Sequence, residues 1–392
     1  MGRIVDGFFG YVRNNGLVGT RNYLGILSTV GCANEVARAI RNNLDGAALI
    51  THHQGCCQTP PDLEIVTDSL ISLAKNPNIG AVLLVSLGCE GTNVDKIEEE
   101  IARFGKPVER VVIQKVGGSI NAVDVGSRMA ALLLSKISPC RREKVDISQL
   151  VVGVKCGASD ATSGLVSNPS VGVAVDILVK AGGSVIFGET TEFIGAEHIL
   201  ASRASSEDVS REIYRIVVEM EKRARSMGAD MRRGQPTPGN MEGGISTIEE
   251  KSLGAIVKSG SCKIDGVLGY SEFLGSRKGL YVKDTPGREP EALTGFVIGG
   301  ATLLLFTTGR GAPQGHPVSP VIKICGNPET VGALGVHIDV DLSSVLAGTL
   351  SIEESGMKIL EEVIEVASGK KVRAEVCNYN ETMDIWTVGP VI

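Results

Sequence analysis

Long apolar runs are missing from this chain. Stretches such as Ala81 to Val85 and Ala301 to Phe306 fall far short of the roughly 20 residues that a bilayer span needs. The first twenty residues carry Arg3, Asp6 and Arg13 with no uninterrupted apolar segment, so neither a membrane anchor nor an export signal is expected and the protein reads as cytoplasmic. Basic runs are missing too. The net charge is −6 and no Lys or Arg cluster stands out, which leaves no electrostatic footprint for a phosphate backbone and argues against a nucleic-acid partner. No repeat of solenoid length is visible, and Gly16, Gly19 and Gly25 form no dinucleotide fingerprint at a strand-to-helix junction, so a nicotinamide enzyme lacks support. Aromatic residues are scarce at 4% against 49 glycines, a balance that suits α/β proteins, whose strand-to-helix turns need positive φ or close backbone approach.

What is present is a globular composition of sufficient length for two domains: 392 residues, 43% hydrophobic and 21% charged. Tyr23 to Val30 reads as a buried strand, and Gly31-Cys32-Ala33-Asn34 opens a helix over Glu35 to Asn43. The unit recurs with strands at Ala47 to Thr51, Ala81 to Leu87 and Arg110 to Ile113, predicting a parallel sheet with right-handed crossovers. Around Ser138 to Asp146 the chain is polar and aperiodic and reads as a linker. This places an N-terminal α/β domain at residues 1–145 and a second domain at 146–392. The second alternation has strands at Leu150 to Val154, Ser184 to Phe187, Gly266 to Tyr270, Gly300 to Phe306 and Val321 to Ile324, with helices at Val171 to Lys180 and Glu207 to Met227. Arg232 to Gly244 has too many breakers for a helix and is expected to be an ordered functional loop.

Parallel sheets bind ligands beyond the carboxyl ends of their strands. In the first domain those turns hold Cys32, then His52-His53-Gln54-Gly55-Cys56-Cys57, then Cys89-Glu90. In the second they hold Lys155-Cys156-Gly157, Glu189-Thr190-Thr191-Glu192, Thr307-Thr308-Gly309-Arg310-Gly311 and Cys325-Gly326-Asn327, with His198 and His316 near by. Nine cysteines without an export signal argue against a disulfide framework. Each residue has a plain alternative: cysteine fills tight turns as a small hydrophobe, Glu189 and Glu192 can cap a helix, and Arg310 can pair with a surface carboxylate. Thiol, imidazole and carboxylate together would suit a metal such as iron.

Several segments match a known pattern: Gly10-Tyr11-Val12-Arg13 with Gly19-Thr20-Arg21-Asn22-Tyr23, Leu87-Gly88-Cys89-Glu90, Lys155-Cys156-Gly157 with Ser159-Asp160-Ala161-Thr162-Ser163-Gly164, Gly188-Glu189-Thr190-Thr191-Glu192, Gly239-Asn240 with Gly243-Gly244, and Thr308-Gly309-Arg310-Gly311. Over nearly its whole length the chain resembles the altronate and galactarate dehydratases, and the large subunit of sulfolactate sulfo-lyase is similar over the same span. The resemblance implies elimination of water from a sugar acid, dependence on ferrous iron with Mn2+ as a substitute, a dimerising N-terminal α/β domain and a Rossmann-like C-terminal domain that holds a metal. Elimination needs a stabilised enediolate, a base at the α-carbon and an acid for the leaving group. On that reading Cys156, Glu189, His316 and Cys325 hold the metal, Arg310 with Thr308 takes the substrate carboxylate, and His198 or Glu192 moves protons. A rival cofactor is a 4Fe-4S cluster on Cys32, Cys56 and Cys89. Single-chain relatives carry a small β-rich domain before the Gly-Tyr-Val-Arg motif, where this chain has Met1 to Phe9. The expected partner is therefore a separately encoded β-rich subunit of roughly 80 to 110 residues on a homodimer of this chain. A non-catalytic anion-binding scaffold is the alternative outside enzymology.

Overall fold

The computed structural model describes residues 7–234, 236–390 and 392. Its strands are β1 (Phe8–Val12), β2 (Val18–Gly19), β3 (Tyr23–Ser28), β4 (Ala47–Ile50), β5 (Ile79–Ser86), β6 (Val108–Val112), β7 (Glu143–Val145), β8 (Val151–Gly157), β9 (Ser184–Phe187), β10 (Ile264–Leu268), β11 (Gly279–Lys283), β12 (Leu303–Thr308), β13 (Val321–Cys325) and β14 (Val340–Asp341). They form a four-stranded parallel sheet in the order β4-β3-β5-β6, a seven-stranded parallel sheet in the order β10-β11-β9-β8-β12-β13-β14, and a small antiparallel sheet β2-β1-β7. The α/β class with helix-flanked parallel sheets is thus the observed one.

Strand order matters for function. Setting β10 aside as an added edge, the large sheet runs third, second, first, fourth, fifth, sixth, the doubly wound order whose direction of winding reverses between β8 and β12. The small parallel sheet runs second, first, third, fourth, and reverses between β3 and β5. Each reversal opens a crevice at the strands' carboxyl ends, because the two crossovers there leave in opposite directions.

The two sheets are joined by buried amides. Asn78 Nδ2 donates to the carbonyls of Thr302 and Val318, both at 2.9 Å, and Asn76 Nδ2 donates to Val297 and Ala301, also at 2.9 Å. One apolar cluster runs through the junction, with Leu70, Leu73 and Leu84 from the first part and Phe296, Leu304 and Phe306 from the second. The last segment of the chain returns to the first sheet, where Val388 N and Gly389 N donate to Asp62 at 2.9 and 2.8 Å.

Two readings of the sequence are corrected. The polar stretch taken as a linker contains β7, which pairs with β1 from Phe8↔Val145 to Gly10↔Glu143. A three-residue edge strand is held by its backbone and needs no side-chain periodicity. The breaker-rich stretch holds two short helices, Met231–Gly234 and Pro238–Glu242. Pro238 opens the second of these, where its missing N–H costs nothing, and the Thr237 hydroxyl accepts from Asn240 N.

Candidate active site

The apolar strand β8 ends in Lys155-Cys156-Gly157, and a charge inside a sheet covered on both faces needs a buried partner. Glu189 supplies it from the end of β9, in a close ion pair with Lys155. Its second oxygen accepts from Cys156 N at 3.0 Å and from Lys258 Nζ at 2.6 Å. Lys258 also reaches Glu192 Oε2 at 3.0 Å, and Lys251 Nζ lies 3.7 Å from Glu192 Oε1. Lys155, Glu189 and Lys258 are essentially without solvent exposure. Burial is the largest single effect on both lysines and opposes their charge, yet the combined attraction of Glu189, Glu192 and their neighbours outweighs it and lifts the pKa of Lys155 and of Lys258 above the ordinary value. The two carboxyls are pushed apart. Burial and the charge of Glu192 raise Glu189, whereas Glu192, which burial also opposes, is drawn below the usual range by Lys258 and Lys251.

The backbone here is strained. Among the described residues four non-glycines have positive φ, and two of them, Ala158 at 45° and Glu189 at 73°, end β8 and β9. Ala158 O accepts from Gly309 N and Arg310 N at 3.2 and 3.0 Å, tying the turns of β8 and β12 across the reversal point. A Cβ on Gly309 would fall 2.1 Å from Asp160 Oδ1, so any larger residue there would push the Asp160 carboxylate from its place. Asp160 also accepts from Asn327 Nδ2 at 2.7 Å, joining the turn after β13.

Two cavities flank Cys156. One, of about 420 Å3, is walled by Ser159, Glu192, Asn240, Lys251, Arg288 and Glu289. The other, of about 550 Å3, is more apolar and is walled by Asp160, Leu165, Asn168, Ile245, Lys251 and Leu253. The Cys156 sulfur lies 3.0 Å from Ser159 Oγ and 3.5 Å from Asn168 Nδ2, and burial pushes its thiol pKa up.

Cys156, Glu189 and Glu192 are the predicted residues that meet here. Arg310 stands at the rim, donating to Gly239 O at 2.6 Å and Glu242 Oε2 at 2.9 Å, so it clasps the Pro238–Glu242 helix over the turn after β8. Thr308 Oγ1 accepts from Gly311 N at 2.9 Å and shapes that turn. His198 is exposed on the Glu197–Ser202 helix and lines neither cavity. His316 is buried elsewhere: its Nδ1 accepts from Val318 N at 3.2 Å, its Nε2 lies 3.4 Å from Thr294 Oγ1, and burial lowers its pKa to about 3. Cys325 Sγ faces the carbonyls of Asn327 and Gly309. Lys251, Lys258, Asn168 and Arg288 carry no signal in the sequence; Lys155 has one, a charge following the apolar run Val151 to Val154.

Ferrous iron does not fit the quartet Cys156, Glu189, His316 and Cys325. Glu189 is already taken by two ammonium groups and a backbone N–H, and among the described residues no three His, Cys, Asp or Glu side chains are arranged to hold a metal ion. The first sheet offers different donors. Cys32, Cys56 and Cys89 are all exposed, on the turns after β3, β4 and β5. Those turns are tied by Gly31 N to Gln54 O and Gly91 N to Gly55 O, both at 2.9 Å, at that sheet's reversal point. Three thiolates from separate turns are the donor chemistry of an iron–sulfur cluster, whose irons spread over more space than one ion.

Fold and site together define an α/β protein with a buried acid–base array at the reversal point of a doubly wound sheet. Residues 147–391 match the family model described as D-galactarate/altronate dehydratase, C-terminal, and residues 10–138 that of the D-galactarate dehydratase/altronate hydrolase second domain. The chain belongs to the D-galactarate/altronate dehydratase family. It is 38% identical over 377 residues to the (2R)-sulfolactate sulfo-lyase subunit beta of Chromohalobacter salexigens, covering 95% of this chain and 96% of the relative. It is 33% identical over 384 residues to the altronate dehydratase of Bacillus subtilis, covering 95% and 76%. Against the L-threo-forming galactarate dehydratase of Escherichia coli it is 34% identical over 388 residues, covering 93% and 73%. No helix among the described residues is long and apolar enough to cross a membrane.

Proposed function

We propose that this chain is a lyase that removes the β-substituent of a 2-hydroxy carboxylic acid bound in the cavity beside Cys156. The observation that carries the reading is Glu192 on that cavity's wall, flanked by Lys258 and Lys251. The lysines keep Glu192 ionised and so free to take the α-proton, while lowering its own proton affinity, so the step relies on acidifying the substrate. Lys251 and Arg288 on the same wall supply positive charge where the enediolate develops. Lys155, Glu189 and Lys258 do not need to touch substrate; their buried pairing fixes Glu192 and keeps the turn after β8 in place. A 4Fe-4S cluster on Cys32, Cys56 and Cys89 would supply a Lewis-acidic iron for a departing hydroxyl.

Two leaving groups are in play. Loss of water from a sugar acid such as altronate accords with the relatives named as dehydratases, while loss of sulfite from sulfolactate accords with the 38% identical relative. That relative is named as a subunit beta, which supports a separate partner subunit; a small one covering the strand ends would exclude water from the intermediate. The experiment is a panel of altronate, galactarate and (2R)-sulfolactate, supplied to anaerobically purified chain with its partner, reading 2-keto-3-deoxy acid and sulfite separately. Product of either kind supports the lyase. No product from any of the three, with iron and sulfide present, favours a binding scaffold.

A further inference from the structure

The turn after β4 carries two adjacent thiols, Cys56 and Cys57, both exposed, with their sulfurs 3.6 Å apart. In an extended chain neighbouring side chains point to opposite faces. Here Cys57 takes a left-handed φ of 51°, which brings its side chain round to that of Cys56. A residue with a Cβ resists that conformation, so the turn must be held from outside. It is: Gly55 N donates to Gln58 Oε1 at 2.8 Å, Gln58 Nε2 to Gln54 Oε1 at 2.7 Å, Gly91 N to Gly55 O at 2.9 Å, and Ile392 N to Cys57 O at 2.8 Å.

We propose that Cys56 and Cys57 form a chelating dithiol site for a thiophilic centre of the trivalent arsenical class, with one arsenic atom bridging both sulfurs. Thiolate sulfur is a soft ligand and selects soft centres. Bridging suits this turn better than a disulfide. A trans peptide holds neighbouring Cα atoms about 3.8 Å apart, less than the roughly 4.4–6.8 Å that disulfides span, whereas a bridging atom lets the sulfurs stay near their present separation. With a monosubstituted arsenical oxide, two S–H bonds and the As=O bond break, two As–S bonds form, and both protons leave with the oxygen as water. Arsenic stays trivalent, so no oxidant or reductant is needed. The organic substituent fills the third valence, and neither Cys32 nor Cys89 is required. Cys56 is also one of the thiols proposed above for a cluster, so an arsenical on this turn and a cluster exclude each other.

The test is phenylarsine oxide added to the reduced, iron-free full-length chain, read by intact-protein mass and by free-thiol count. One adduct with loss of two thiols is expected. It should vanish in Cys56→Ala and Cys57→Ala, both exposed positions whose fold is checked by circular dichroism, and persist in Cys32→Ala and Cys89→Ala. An excess of a small dithiol should reverse it where a monothiol does not. Absence of the adduct on the wild type, its persistence in Cys57→Ala, or a requirement for Cys32 or Cys89 would overturn the proposal.

Discussion

Replacing Lys258 with Met removes the ammonium that two carboxylates share while keeping much of the side chain's volume. Lys258 Nζ is 2.6 Å from Glu189 Oε2 and 3.0 Å from Glu192 Oε2, and the side chain is fully buried. Breaking a buried pair from one side costs about 3–5 kcal/mol, because the remaining charge is left without compensation. Lys155 still pairs with Glu189, and Lys251 stands 3.7 Å from Glu192, so the lower end, about 3 kcal/mol at pH 8, is expected. The pH dependence has a definite sign. In the wild type Glu192 is held below the ordinary carboxylate range; its stabilisation is complete above the unfolded pKa and fades as pH falls through the folded one. In the variant, burial dominates and lifts the folded pKa of these carboxyls above the unfolded value. The penalty is then full above that raised pKa and is relieved by protonation as pH falls. The deficit should therefore shrink by at least about 1 kcal/mol between pH 8 and pH 5, since a tenfold change in a proton-binding constant is worth about 1.4 kcal/mol. Urea unfolding followed by far-UV circular dichroism at both pH values measures it. A deficit under about 1 kcal/mol at pH 8, or one equal at the two pH values, would refute this reasoning.

Further outcomes concern the metal and the rim. After anaerobic purification, Cys32→Ala and Cys89→Ala should lose iron and acid-labile sulfide, whereas Cys325→Ala should keep both, since Cys325 faces only backbone carbonyls; iron loss confined to the Cys325 variant would reverse the assignment. His316→Ala should cost about 2–4 kcal/mol through the cavity and the unpaired Val318 N–H, with metal content unchanged. Its ring stays neutral in the fold, with a pKa of about 3, while the unfolded histidine takes up a proton near pH 6.5, so His316 costs the wild type about 2 kcal/mol of stability as pH falls from 8 to 5 and the variant's deficit should shrink by that amount. Arg310→Ala breaks a half-exposed pair and should cost no more than about 1 kcal/mol, yet raise KM several-fold by loosening the helix it clasps; an unchanged KM would remove Arg310 from the site.

Most strands of the two parallel sheets were legible because buried β segments are short apolar runs ended by glycine-containing turns, as at Tyr23–Ser28 and Ser184–Phe187. β1, β2, β7, β11 and β14 were not: Glu143–Val145 is held by backbone pairing alone, Gly279–Lys283 begins with glycine and ends in a buried lysine, and Val18–Gly19 and Val340–Asp341 are only two residues long. Strand-end logic led to Cys156, Glu189 and Glu192, because the carboxyl ends of parallel strands are where turns converge. It misled at His316 and Cys325, which are near such ends in sequence but face Val318 N and backbone carbonyls. The lysines that complete the array were hidden for a different reason. Lys251 and Lys258 come from Ile248–Ile256 and the turn after it, a helix that docks across the strand ends, and no local pattern announces which face of a helix will meet a carboxylate.

Glu192 as the base of an elimination carried out beside Cys156 is the claim on which the rest depends. The most direct measurement is the turnover of the panel acids by the wild type and Glu192→Gln, each combined with the proposed partner subunit, with loss of the substrate α-proton to deuterated solvent followed in parallel. Product is expected from the wild type, and loss of both product and α-proton exchange by at least about 100-fold in the variant, with substrate still bound. Wild-type-like exchange and turnover in Glu192→Gln would contradict it.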